Sequence, residues 1–370
     1  MTEVTRRNLL VLPFAAWIAE AADAGETPIP FADEAKFDPA KPRLPWHKHG
    51  AWITPTEEFF WVGHYGYPDV DIASWKLEIG GLVNRPAAFS LDDLRKRKAR
   101  EVPVTMECSG NPPIGGLVGN SKWKGTPLAP LLKEAGVRPE AIEAVFFAAD
   151  SGTEKIRGGE YKQNFARSLP AREAMRDDIL LCYEMNGAPL EKNHGAPVRL
   201  IVPGWYGVAW VKWLTRIELH DRAFLSRFMG RDYVTIRGEP KGDSVLWRET
   251  SVGRMNLKSV PARVARRADG AYRVYGAAWS DGTPIRLVEV SVDGGAWKAA
   301  QIEKQSGGPY NWSFWIWDWK DASPGEHTVS SRAIDSKGKI QPAPDDPSIK
   351  LKKTYWEANQ QAVRKITIPA

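Results

Sequence analysis

A thiol, two imidazoles, a guanidinium and an ammonium are the groups in this sequence best suited to chemistry. Cys108 stands in TMECSGN, His64 closes FFWVGH, and His194, Arg199 and Lys212 follow one another through NHGAPVRLIVPGWYGVAWVKW. A lone thiolate is a soft metal ligand, and fixed cations complement an anionic ligand. The set suits a bound anionic cofactor better than a disulfide or a zinc site. Singly, each group has a plainer reading. Cys108 follows the strand-like EVPVTME and opens the turn-forming SGNPPIGG, as a capped strand end would. His64 and His194 also read as satisfied structural histidines, and Lys212 as a solvated strand residue. Arg199 is more telling, because a cation flanked by PV and LIV needs an anion.

Other chemistries find little support. Cys108 and Cys182 are the only cysteines. They form no CxxC pair, zinc knuckle or CxxCH haem site, and a disulfide between them is not readable from sequence. Cys182, inside the apolar DILLCYEM, reads as a buried small hydrophobe. Without GxGxxG or a Walker sequence, nucleotide cofactors lack a motif.

At the residues quoted, the chain resembles the sulfite oxidase family of molybdopterin-dependent oxidoreductases, in its bacterial periplasmic form with a C-terminal dimerisation domain. The resemblance runs from about Thr54 to the C-terminus. It implies that Cys108 in CSGN ligates molybdenum and that His64 contacts the pterin. It also implies that His194 and Arg199, in HGxPxR, and Lys212, in VKW, face the pterin and its phosphate. Tyr233 in GRDY matches the substrate-pocket tyrosine, although it also reads as an interdomain aromatic; Asp232 beside it is placed to orient it or a neighbouring cation. The implied activity is oxidation of sulfite or a related sulfur compound by oxygen-atom transfer, with electrons passed singly to an external acceptor such as a c-type cytochrome. No haem is expected.

The sequence departs from the family where arginines surround a sulfite oxyanion. Val62, Pro113 and Ala209 stand at three of those places, and a fourth aligns loosely with Lys352 or Lys353. Lys122, Lys124, Lys155 and Arg157 are candidates to compensate from loops. Otherwise the substrate is a different sulfur compound, as for a sulfane-sulfur dehydrogenase or a sulfoxide reductase. The complete C-terminal sandwich argues against the reductase. A non-catalytic secreted binding module is the reading from another class, and it leaves the charge in VRLIV unexplained.

The elements that must position these residues fall into an α+β plan: a mixed α/β molybdopterin-binding domain over 51–240, then an all-β, immunoglobulin-like sandwich over 241–370. In the first, SWKLEIGG, EAVFFAAD, DILLCYEM, VRLIVPG and VKWLTRIEL read as strands. Ser90 and Asp93 form a capping box opening the helix LDDLRKRKA, and TPLAPLLKEAGV predicts a second helix ending at Gly136. Asn186-Gly187 marks a tight turn. In the second, five short strands recur with Asp-Gly or Ser-Pro-Gly punctuation. Trp312, Trp315, Trp317 and Trp319 fall on both faces of one of them, which predicts a strand buried twice and a homodimer contact.

Arg6 and Arg7 precede LLVLPFAAWIA, and Ala22-Asp23-Ala24 offers a small-x-small cleavage site. Residues 1–24 therefore read as a twin-arginine signal for a periplasmic protein, and 25–50 as a Pro-rich extended arm over the surface. With 43% hydrophobic and 26% charged residues, the composition is that of an ordinary globule with no membrane span. The net charge of +6 is scattered among acids, against nucleic-acid binding and in favour of steering small anions.

Overall fold

The computed structural model describes the chain apart from residues 1–24, 35–37, 39, 41, 48–49 and 304–307. The twin-arginine reading therefore lies outside the described residues. Two five-stranded sheets build the first half. One runs in the order Ala87–Ser90, Lys76–Gly81, Leu214–His220, Glu143–Ile156, Gly159–Pro170; the other runs Arg199–Ile201, Leu180–Met185, Val118–Pro127, Arg100–Glu107, with Ala188–Pro189 beside Leu180–Met185. Among the described residues, only Leu214–His220 against Lys76–Gly81 is parallel. The alternation in KLEIGG turns Leu77 and Ile79 inward, and the core continues through Phe59, Trp123, Leu131 and Phe146.

Both expected helices form, but each is shorter than the sequence predicts. The Ser90–Asp93 capping box is present, but its helix stops at Arg95. After Leu94 the chain reads RKRKARE, which offers no apolar face to bury. The helix Leu128–Ala135 does form, buries Leu128, Leu131 and Leu132, and ends at Gly136 in the left-handed region. This half is mostly sheet with a few short helices.

Two further sheets face each other in the second half. Thr27–Ile29, Lys258–Arg266, Tyr272–Trp279, Ser313–Trp319 and Gln301–Ile302 form one; Lys298–Ala299, Ile285–Val292, Gly325–Asp335 and Val363–Ile368 form the other. Val264, Val274, Val290, Trp315, Trp319, Val329 and Ile366 fill the space between them. The N-terminal arm is stitched in instead of lying on the surface. Its strand pairs with Val264–Arg266, Phe31 joins the sandwich core, and Leu44 and Trp46 join the core of the first half. The tryptophan strand also departs from expectation. Trp315 and Trp319 are buried, but Trp312 precedes the strand and packs into the first core. The opposite face carries exposed Asp318, paired with Arg273 at 2.6 Å, so that face is not apolar throughout. A hairpin that the sequence analysis missed, Val234–Lys241 with Ser244–Ser251, joins the two halves.

Candidate active site

Cys108 is delivered by the end of the strand Arg100–Glu107. Its N–H donates to the Leu117 carbonyl at 2.9 Å and its own carbonyl accepts from Asn111, which turns the chain sharply and leaves the thiol facing a pocket. Burial pushes that thiol up to about 11. His64, His194, Arg199, Lys212 and Tyr233 line the same pocket, which opens to solvent and holds about 570 Å³ of unfilled space counted to its mouth. All six residues singled out in the sequence thus come together from distant segments.

His194 ends the short helical turn Lys192–His194 and is 1% exposed. Neither ring nitrogen makes a well-formed hydrogen bond, although the Thr56 backbone lies nearby. Burial, then Arg199 and Lys212, lower its pKa to about 3, so the ring is neutral. Gly195 follows at φ 103°, where a Cβ would meet the Lys212 side chain at 2.9 Å. That explains the glycine in the motif: it lets Lys212 lie against the turn.

Arg199 is fully buried in the strand Arg199–Ile201. Its guanidinium donates to the His194 carbonyl at 3.0 Å and the Trp210 carbonyl at 3.2 Å, and lies 5.0 Å from the centre of the Trp123 ring. Its Nε is unpartnered, and burial lowers its pKa to about 10. Lys212 donates to the Asn193 carbonyl at 2.8 Å and sits over Trp213; burial, then Arg199, hold its pKa well below the usual lysine range. Among the described residues neither cation forms an ion pair. Asp150, which the sequence analysis missed, also lines the pocket, and burial raises the pKa of its carboxyl.

On the other side, the His64 ring stacks on Phe165 at 4.1 Å, and its Nε2 is hydrogen bonded to the Tyr233 hydroxyl at 2.8 Å. Burial, then Lys212, Arg167 and Arg227, bring His64 down to about 3. Tyr233 adopts φ 59° and stacks on Trp356 at 4.3 Å, and burial raises its phenol pKa. Outside this wall a groove runs past Arg227, Arg231, Asp232 and Tyr355. Its arginines are already engaged, Arg227 by Glu154 and Asp232, Arg231 by Glu154.

None of the proposed compensating cations reaches the pocket. Lys124 pairs with Glu184 at 2.8 Å and Lys155 with Glu160 at 2.6 Å, while Lys122 and Arg157 are exposed. Lys352 donates to the Trp356 carbonyl at 2.9 Å, and burial lowers its pKa to about 8. Val62 lines the pocket and Ala209 is buried, so those two places are apolar. Cys182 is buried as expected, and both cysteines are free.

Beneath Cys108, Glu107 is wholly buried. It accepts from Lys258, from Trp279 Nε1 at 2.8 Å and from Asn111 Nδ2 at 2.9 Å. The residue before the thiol is thereby tied to the sandwich.

The family model for an oxidoreductase molybdopterin binding domain matches residues 64–228, and that for a Mo-co oxidoreductase dimerisation domain matches 254–356. The sequence is 31% identical over 321 residues to mitochondrial sulfite oxidase of Rattus norvegicus, covering 79% of this chain and 58% of that one. It is 31% identical over 317 residues to sulfite oxidase of Gallus gallus, covering 79% and 68%. The chain thus spans somewhat over half the length of its mammalian relatives. Among solved structures, the sulfane dehydrogenase SoxCD from Paracoccus pantotrophus superposes with a TM-score of 0.73 at 26% identity, covering 99% of this chain and 96% of that one.

Proposed function

Because this chain belongs to the sulfite oxidase family, we propose that it is a molybdenum-dependent oxidoreductase that oxidises sulfite or a related sulfur compound by oxygen-atom transfer. The observation that carries this is one pocket joining a half-buried thiol to a buried guanidinium and a half-buried ammonium that form no ion pair among the described residues, and to a buried imidazole whose ring nitrogens make no well-formed hydrogen bond. Such groups are costly to bury alone, and a phosphorylated pterin supplies the acceptors they lack. Cys108 would ligate the metal; His64, His194, Arg199 and Lys212 would hold the pterin. When bound, the molybdenum cofactor supplies the two-electron redox chemistry.

The chain's own residues do the rest. The hydrogen bond to His64 and the stack on Trp356 fix the Tyr233 hydroxyl at the pocket wall, where it orients a substrate oxygen. Both partners stay uncharged near neutral pH, so this contact orients without adding charge. Phe165, Phe228 and Trp356 exclude water around it.

Electrons would pass to an external acceptor such as a c-type cytochrome. Residues 1–24 would direct export to the periplasm by the twin-arginine route and 25–50 would form the arm. Residues 51–240 would hold the cofactor, and the immunoglobulin-like unit at 241–370 would pair two copies. Apolar Val62 and Ala209 favour a second substrate reading, a sulfane-sulfur compound, and the likeness to SoxCD over nearly the whole chain supports it. Among the described residues, no helix is long and apolar enough to cross a membrane.

The test is steady-state reduction of cytochrome c by molybdenum-loaded protein, with sulfite and with a sulfane-sulfur donor. Turnover with either supports the reading and identifies the substrate. Loaded protein that oxidises neither contradicts it.

A further inference from the structure

Arg167 stands two residues beyond Phe165 in the strand Gly159–Pro170 and is 1% exposed. Its guanidinium donates to the Phe228 carbonyl, to the Val252 carbonyl at 2.6 Å and to the Ser251 hydroxyl at 3.3 Å, and its Nε has no partner. Glu143 and Glu357 lie near enough to favour its charge, but Glu143 accepts from the Phe224 N–H and Glu357 pairs with Arg237. Among the described residues this cation forms no ion pair.

Its surroundings point to one target. Phe228 packs edge-on against His64 at 4.9 Å, and the Val252 N–H holds the Tyr233 carbonyl at 2.8 Å. The two carbonyls that Arg167 grips therefore belong to the segments on either side of Tyr233. That residue is in the left-handed region, where a side chain needs outside support. The charge of Arg167 also reaches both His64 and Tyr233. Of the other nearby cations, Lys212 is bonded to the Asn193 carbonyl on the far side and Arg227 is neutralised by Glu154 and Asp232.

We propose that Arg167 is a positioning and specificity-determining residue. It fixes Tyr233 through the flanking carbonyls of Phe228 and Val252, and it supplies from behind the wall the positive charge that attracts an anionic substrate. It takes the part that Val62, Pro113 and Ala209 do not play. In a dry site such a charge acts at a distance without touching the substrate. The inference rests on the function proposed above.

Arg167→Gln removes the charge and keeps an N–H donor; Arg167→Lys keeps the charge and, with three N–H donors, can still hold both carbonyls. Both are made in the full chain, loaded with molybdenum, and titrated with inorganic sulfate as a dianionic probe. The readout is tryptophan fluorescence, for which Trp356 on Tyr233 is a built-in reporter. The expected result is sulfate binding at least about tenfold weaker in Arg167→Gln and within about threefold of wild type in Arg167→Lys, at equal molybdenum content. Wild-type affinity in the Gln variant, equal loss in both variants, or no sulfate binding by loaded wild type would each overturn it. If the Gln variant fails to load, Arg167→Lys decides alone: near-wild-type affinity supports the assignment and a tenfold loss sinks it. Wild-type protein that takes up no molybdenum would remove the proposed function, and this inference with it.

Discussion

Lys258 and Arg199 are both buried cations, and among the described residues only Lys258 has an anion. Lys258 meets Glu107, whose remaining acceptor positions take the Trp279 and Asn111 N–H groups. Arg199 meets two backbone carbonyls, a methionine sulfur and the face of Trp123. The first network is closed and serves structure: it pins the residue before Cys108 to the sandwich. The second is open among the described residues, where the Arg199 Nε has no partner and the His194 ring makes no well-formed hydrogen bond, and on the proposed function a bound ligand completes it. On the proposed function, the contrast separates a buried charge that holds a fold together from one that awaits a ligand.

The two networks should break differently. The largest effect is expected from Cys108→Ser, which removes the proposed metal ligand from the open side. Molybdenum content by elemental analysis and turnover should both fall to background while the circular dichroism spectrum is kept. On the closed side, Glu107→Gln strands Lys258 and should cost about 3–5 kcal/mol in urea unfolding. The double variant Glu107→Gln/Lys258→Met should recover much of that loss, since an apolar pair is tolerated where half an ion pair is not.

Arg199→Met sharpens the comparison because its sign reverses with cofactor. In cofactor-free protein it removes an unpaired buried charge and should leave stability unchanged or raise it by about 1 kcal/mol. In loaded protein it should speed molybdopterin loss on dilution, followed by the fluorescence of the released pterin. A destabilised apo variant would show that the carbonyl contacts alone satisfy the guanidinium.

The smallest effect is in pH. His64 and His194 have folded-state values near 3 against 6.5 when unfolded. Between those values the unfolded chain binds more protons than the folded one. Stability of the cofactor-free protein should therefore fall as pH drops through this window, by about 1 kcal/mol per histidine at pH 6. His194→Asn should flatten the slope between pH 7 and 5 in thermal melts; an unchanged slope would mean that His194 is not held neutral.

Much of the open network was legible in sequence, because a charge inside VRLIV and a thiol at a strand end are local signals. So were the capping box at Ser90 and the turn at Asn186, where φ is 52°. The closed network was not. Glu107 and Lys258 are far apart in the chain, and nothing local distinguishes either from a surface residue. Arg167, in NFARSLP, and Asp150 were missed for the same reason: their burial is decided by strands that pair over long separations. The arm and the helix after Ser90 were misjudged because proline content and charge describe a segment without saying what it packs against. The tryptophan strand was over-read, since alternation gives its faces but not what covers them.

The central claim is that the open network is a molybdopterin site. It is tested most directly by molybdenum and pterin analysis of the full chain purified from a cofactor-competent, molybdenum-supplied host, beside Cys108→Ser. Near-stoichiometric molybdenum and pterin in the wild type, with molybdenum lost from the serine variant, is the predicted result. Folded wild-type protein with neither molybdenum nor pterin would contradict it.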